Sequence, residues 1–116
     1  MDPRHLSRIK IIQELYGQTF VSQKKVTETT KNILAREESI RNTIKNYAPK
    51  FPLEKIAKVD LAILELAVYE LTIEKKEPPK VVINEAVQLA HELGNDKSYS
   101  FVNAVLGKVF SSSNQA

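Results

Sequence analysis

The sequence predicts an all-α domain, a compact helical bundle. Three observations lead there. Glycine totals only 3 of 116 residues. No Asn-Gly or Asp-Gly dipeptide marks a hairpin. Apolar residues recur three and four apart instead of alternating. The length fits one domain, residues 1–116. Hydrophobic residues make up 42% and charged residues 27%, the balance of an ordinary globular chain with enough apolar surface for one core.

The elements follow in order. Asp2 is the expected N-cap of helix one, with Pro3 at the first helical position, where its missing N–H costs nothing. Leu6, Ile9, Ile12, Tyr16 and Phe20 form the expected apolar stripe, widened by Ile11 and Leu15. Residues 21–25 read as a short polar link. Helix two is expected from about Lys25 to Tyr47, because Val26, Ile33, Ile40 and Tyr47 lie seven apart with Ile44 beside them. Pro49 and Pro52 end it, and a short helical turn follows over Leu53 to Ala57.

Helix three, about Asp60 to Glu74, is apolar almost all round, the mark of a helix buried on several sides, with Asp60 as its cap. The stretch KKEPPK breaks the chain. Pro79 opens helix four, and Gly94 stops it as a left-handed residue. Helix five runs from about Lys97 to Phe110, with Asp96 near its cap and Phe101, Val102, Val105, Leu106 and Val109 facing inward. Residues 111–116 read as a frayed tail.

The motifs argue for binding, not catalysis. Cysteine is absent, which removes disulfides and thiolate ligands. His5 and His91 have no partners at metal-ligand spacing, and no Gly-rich phosphate loop or Gly-x-Ser-x-Gly elbow appears. No metal, cofactor or enzymatic activity is therefore expected. No apolar run approaches the ~20 residues of a membrane span. No secretory leader opens the chain, so a cytoplasmic location is expected. The net charge of +3 is uneven. Residues 1–50 carry 10 Lys/Arg against 5 Asp/Glu, or +5, and residues 51–116 carry 7 against 9, or −2. A basic front half suits an anionic partner such as nucleic acid. Arg4 and Arg8 stand four apart on one helix face, and Arg binds phosphate through a planar fork. Lys97, Ser98, Tyr99, Ser100 and Phe101 open helix five, where an exposed ring beside polar donors is a platform for unpaired bases. Phe101 is the expected stacking ring, with Tyr99 as the alternative.

Three segments, VDLAILELAVYEL (59–71), PPKVVINEAVQLAHELG (78–94) and DKSYSFVNAVLGKV (96–109), in this order and spacing, resemble the NusB family of bacterial transcription antitermination factors. The opening RHLSRIKIIQELY (4–16) resembles it more loosely. The resemblance implies two packed helical subdomains of about five to six helices in all. It implies a non-enzymatic adaptor that binds the boxA element of nascent RNA together with NusE, the small-subunit ribosomal protein also known as protein ten. The adaptor would join the RNA polymerase antitermination complex and support ribosomal RNA transcription. Carried over, it implicates Arg4, Arg8, Tyr16, Lys97, Ser98 and Phe101 in RNA binding, and Glu54 and Asp60 at the NusE surface. The chain departs from the family pattern in places. His5, Leu6 and Ser7 stand where several arginines commonly cluster, and Glu65 stands where members often have Arg. Three rivals follow: a helical interaction module that keeps the NusE surface without RNA affinity; an RNA-docking domain like the NusB-like segment at the front of some ribosomal RNA methyltransferases, against which the expected absence of a catalytic domain after residue 116 argues; and a homodimer that masks its RNA face.

Overall fold

The structure, a computed structural model, describes residues 2–23, 25–48, 50 and 52–114. Six α-helices carry the fold: α1 Pro3–Gln18, α2 Glu28–Ala35, α3 Glu37–Tyr47, α4 Lys58–Tyr69, α5 Pro79–Leu93 and α6 Ser98–Asn114. A 3₁₀ turn, Leu53–Lys55, precedes α4, and a π-helical turn, Glu70–Glu74, extends it. No strand occurs among the described residues. The predicted all-α class is what the structure has. Pro49 and residues 115–116 of the predicted tail lie outside the described residues.

The central helix is as the sequence predicts. Every residue from Asp60 to Glu70 is buried, and α4 packs against all five other helices. The Cα radius of gyration, 13.0 Å, matches the ~13 Å of one compact domain of this length. Buried apolar residues of all six helices form one cluster. Its least accessible side chains include Ile33, Ile40, Ile44, Ile63, Leu64, Leu89 and Leu106.

Other expectations are corrected. Of the predicted stripe, Ile11, Ile12 and Leu15 are buried and Ile9 packs against the core, but its outer members do not face in, and Arg8 is buried in their place. Leu6, Tyr16 and Phe20 are exposed, Phe20 by 63%. What turns Arg8 inward is a pair of carboxylate partners, the buried Glu70 and the half-buried Glu77, described below. Helix two is two helices. Arg36 leaves helical geometry at φ −116°, ψ 18°, and α3 restarts with Glu37 and Glu38 in its first turn. Acidic residues there complement the positive end of a new helix, a signal that the heptad spacing obscured. Asp60 is not a cap. Ala57 holds that position, and Asp60 sits buried in the first turn of α4. Helix five reaches Asn114, beyond the predicted start of the frayed tail.

Gly94 ends α5 in extended geometry, φ −95° and ψ −163°. Glycine is needed there for space. A Cβ at 94 would lie 2.3 Å from Ser98 Oγ and 2.8 Å from the Ala90 carbonyl oxygen. The left-handed residue is Lys75, φ 55°, which closes the π turn by donating its amide to the Glu70 carbonyl at 2.9 Å. The turn into α6 is a reciprocal cap. Ser98 Oγ accepts from the Asn95 amide at 2.9 Å, and Asn95 Oδ1 accepts from the Lys97 amide at 2.9 Å. Asp96 takes no part in these bonds.

Truncating a buried leucine at the centre removes its contacts and leaves a cavity. Leu64→Ala should cost ~2–5 kcal/mol in urea unfolding. Gly94→Ala should cost ~1–3 kcal/mol, because the added methyl forces the Ser98 cap apart. A loss below ~0.5 kcal/mol for Gly94→Ala would show that the turn adapts freely.

Candidate nucleic-acid and partner interfaces

The start of α1 is a dense ion-pair network. Asp2 Oδ1 accepts from the Arg4 amide at 2.9 Å and caps the helix as predicted. The Arg4 guanidinium, with its side chain 67% exposed, donates to Glu77 Oε1 at 2.6 Å. Arg8 is only 7% exposed. It grips Glu70 with two bonds, Nε to Oε2 at 3.0 Å and Nη2 to Oε1 at 2.8 Å, and it also donates to Glu77. The Glu70 carboxylate raises the Arg8 guanidinium above its ordinary range, against the cost of burial. His5 bridges Glu85 through Nδ1 and Glu92 Oε2 through Nε2, the latter at 3.0 Å. The Glu85 carboxylate bonded to its ring, with Glu92 beside it, raises the His5 imidazole above its ordinary range.

The consequence is electrostatic. Arg4, Arg8 and His5 face Asp2, Glu70, Glu77, Glu85 and Glu92. Even with His5 charged, carboxylates outnumber cations in this network. The arm that reads as basic in sequence is neutralised by the second half of the chain. Glu70 and Glu77, and Glu85 and Glu92, each lie seven apart. That spacing was the available sign that α5 and its approach offer an acidic face to α1.

The second predicted element is the turn between α5 and α6. Lys97 is exposed, and no carboxylate among the described residues lies within ion-pair distance of it. Ser98 is 1% exposed and spends its hydroxyl on the cap. Tyr99 is 45% exposed and sets its ring edge-on to His91, centroids 5.6 Å apart at 84°. Phe101 is half-buried and packs against the core. Of the two rings weighed in the sequence, Tyr99 is the outer one. His5 draws the turn and the arm together, because its partner Glu92 lies two residues before Gly94.

A third region lies at the opposite end of α1. A cleft of about 620 Å³ has an apolar floor of Leu15, Leu34, Leu53, Ile56 and Leu61, rimmed by Glu37, Arg41, Glu54 and Lys58. Glu54 is exposed on this rim. Asp60 is buried, and its Oδ1 has no hydrogen-bond partner among the described residues. Tyr16 packs edge-on against Phe20, centroids 5.1 Å apart, and Lys58 Nζ lies 4.9 Å from the Phe20 ring centre. Tyr16 therefore belongs to the cleft side and not to the arm. Behind the rim, Arg41 Nε donates to the buried Glu65 Oε2 at 3.0 Å and lies 3.6 Å from Glu37. Among the described residues no group of three or more His, Asp or Glu is arranged to hold a metal, and no helix is long and apolar enough to cross a membrane.

A family model described as the NusB family matches residues 10–111. The chain belongs to the NusB family. It is 42% identical over 84 residues to the transcription antitermination protein NusB of Acetivibrio thermocellus, covering 72% of this chain and 58% of that protein. The corresponding protein of Finegoldia magna is 42% identical over 82 residues, covering 71% and 60%. The chain thus spans less than two thirds of the length of these relatives. The structure of NusB from T. maritima superposes with a TM-score of 0.82 at 26% identity, over 93% of this chain and 90% of that one. The NusB fold accounts for the order and packing of the six helices.

Glu65 supplies a pH test. Burial pushes its carboxyl up to about 7 from 4.5, with Arg41 pulling the other way. Between those values the folded chain holds a proton that the unfolded chain has released. Stability from this group is therefore lost as pH rises through that window. Relative to Glu65→Gln, the wild-type chain should lose roughly 1–3 kcal/mol of unfolding free energy between about pH 5 and pH 7. Parallel pH profiles for the two proteins would show that Glu65 titrates normally.

Proposed function

We propose that this protein is a transcription antitermination adaptor. It binds single-stranded boxA-type RNA at the arm and the α5–α6 turn, and it binds NusE, the ribosomal protein named above, at the cleft. Through them it enters the RNA polymerase antitermination complex on ribosomal RNA transcripts. The observation that carries this reading is family membership across residues 10–111, and its relatives bear the name transcription antitermination protein.

The residues divide by role. Lys97 and Tyr99 are the accessible RNA contacts, a cation and a ring beside it. Arg4 is exposed enough to exchange Glu77 for a phosphate. Arg8 and Ser98 support the surface from beneath, one by holding α1 against the π turn and the other by capping α6. Phe101 anchors the same helix to the core. On the other face, Glu54 and Lys58 ring an apolar floor beside the exposed Tyr16 and Phe20, a composition that suits a protein partner. Asp60 contributes through the helix start on which that face stands.

The acidic balance of the arm favours a second reading, an interaction module that keeps the partner surface without RNA affinity. Titrating a boxA-type strand at two salt concentrations, with and without the ribosomal protein, separates the two. The adaptor reading expects binding that weakens with salt and tightens with the partner. Lys97→Ala should flatten the salt slope by ~0.7 units for one lost phosphate contact. Tyr99→Ala should cost ~1–3 kcal/mol of RNA affinity with the slope unchanged. Glu54→Lys should slow association with the partner and leave RNA binding alone. No RNA binding under any condition gives the second reading its place.

A further inference from the structure

We propose that the outer stripe of α5 is a track for single-stranded RNA, leading from the α5–α6 turn to the KKEPPK corner. The inference rests on the RNA reading above and extends it to residues that the family resemblance did not implicate. Lys80, Asn84, Gln88 and His91 are all exposed on α5. Helical geometry sets His91, Asn84 and Gln88 roughly 20°, 40° and 80° around the axis from Lys80, so the four form one stripe. Glu85 and Glu92 fall roughly 140° and 120° around, on the flank that His5 occupies. The helix thus sorts its charges. Its carboxylates go to α1, and its outer stripe keeps a lysine, two amides and an imidazole.

Both ends of the stripe suit a polyanion. At one end Lys97 forms no ion pair among the described residues, and the Tyr99 ring sits against His91. At the other, Lys76 and Lys80 are exposed, while Glu77 between them is taken by Arg4 and Arg8. No ion pair to either lysine occurs among the described residues. From Lys80 to Leu93, the last residue of α5, the rise is ~20 Å. At roughly 3.4 Å per phosphate of a stacked strand, that span holds about six nucleotides. Asn84 and Gln88 present both donors and acceptors, the groups that read base edges of an unpaired strand. Gln88 commits one N–H to Glu92 at 3.2 Å and keeps its carbonyl oxygen and its second N–H.

The test uses the full chain and a ten-nucleotide boxA-type RNA. The double variant Lys76→Ala, Lys80→Ala removes two surface cations, and a thermal melt checks that it stays folded. Its plot of log K against log salt should be shallower than wild type by ~1.4 units, ~0.7 for each lost contact with a single strand. A photo-crosslinking side chain placed at Asn84 should capture the RNA. If wild type binds the strand but the double variant keeps the full slope and position 84 captures no RNA, the track is wrong and the RNA reading stands. If position 84 captures the ribosomal protein in place of RNA, the stripe is a protein face and the track is wrong. If wild type binds no strand at all, the RNA reading falls and takes the track with it.

Discussion

A helix buried on every side has no solvent face on which to leave its charges, and α4 is such a helix. Its stretch still carries Asp60, Glu65 and Glu70, five residues apart and all buried. An isolated carboxylate in that position is expensive, so each needs a compensating field or partner. Asp60 lies in the first turn, where the helix dipole favours negative charge. Glu65 is answered by Arg41 of α3 and Glu70 by Arg8 of α1. These pairs fix the rotation of α1 and α3 about α4. Such pairs are weak evidence for net stability, but breaking one strands a charge in the core. They act here as registration, setting which side of each outer helix faces in.

That constraint separates what the sequence could reveal from what it hid. Centrality of α4 was legible because nothing but burial accommodates so apolar a surface. The start at Pro3, the break at KKEPPK and the stop at Gly94 were legible from residues with few other uses. The rotation of α1 was not. Its apolar stripe is broad in sequence, and the deciding partner of Arg8 lies 62 residues away. Gly94 shows the same limit in reverse. The residue type was read correctly and its reason was not, because the clash with Ser98 exists only once α6 folds back. For the sites, the turn before α6 was visible as an odd cluster of residues. The commitment of Arg8 to the core, and the pairing of Arg4 and His5, depended on tertiary neighbours.

Answering buried carboxylates has a functional consequence. The arginines that would make the best phosphate forks are occupied in holding the fold. What remains accessible is mostly lysine, which meets phosphate as a mobile point charge and carries little geometry. On the proposed reading, affinity for RNA is then largely ionic and dependent on salt. Any preference among sequences falls to Tyr99 and the amides beside it. Position in the basic front half thus does not by itself make a cation available, since Arg4, Arg8 and Arg41 are paired with acids of the second half.

The two proposed faces sit at opposite ends of one element. The first turns of α1 are clamped to α5 and the π turn through His5 and Arg8, and its last turn presents Tyr16 beside the cleft. The helix has 16 residues, so it spans ~24 Å. Its inner side is locked into the core, and no glycine hinge interrupts it before Gly17. Allosteric coupling needs an element with two arrangements of similar energy. A clamped rod does not supply one. Cooperation between RNA and the ribosomal protein on this chain would then arise by tethering: each ligand held at one end raises the effective concentration of the other, and direct contact between them adds the rest. In that role rigidity is the useful property, because a linker that flexes dilutes the ligand it presents.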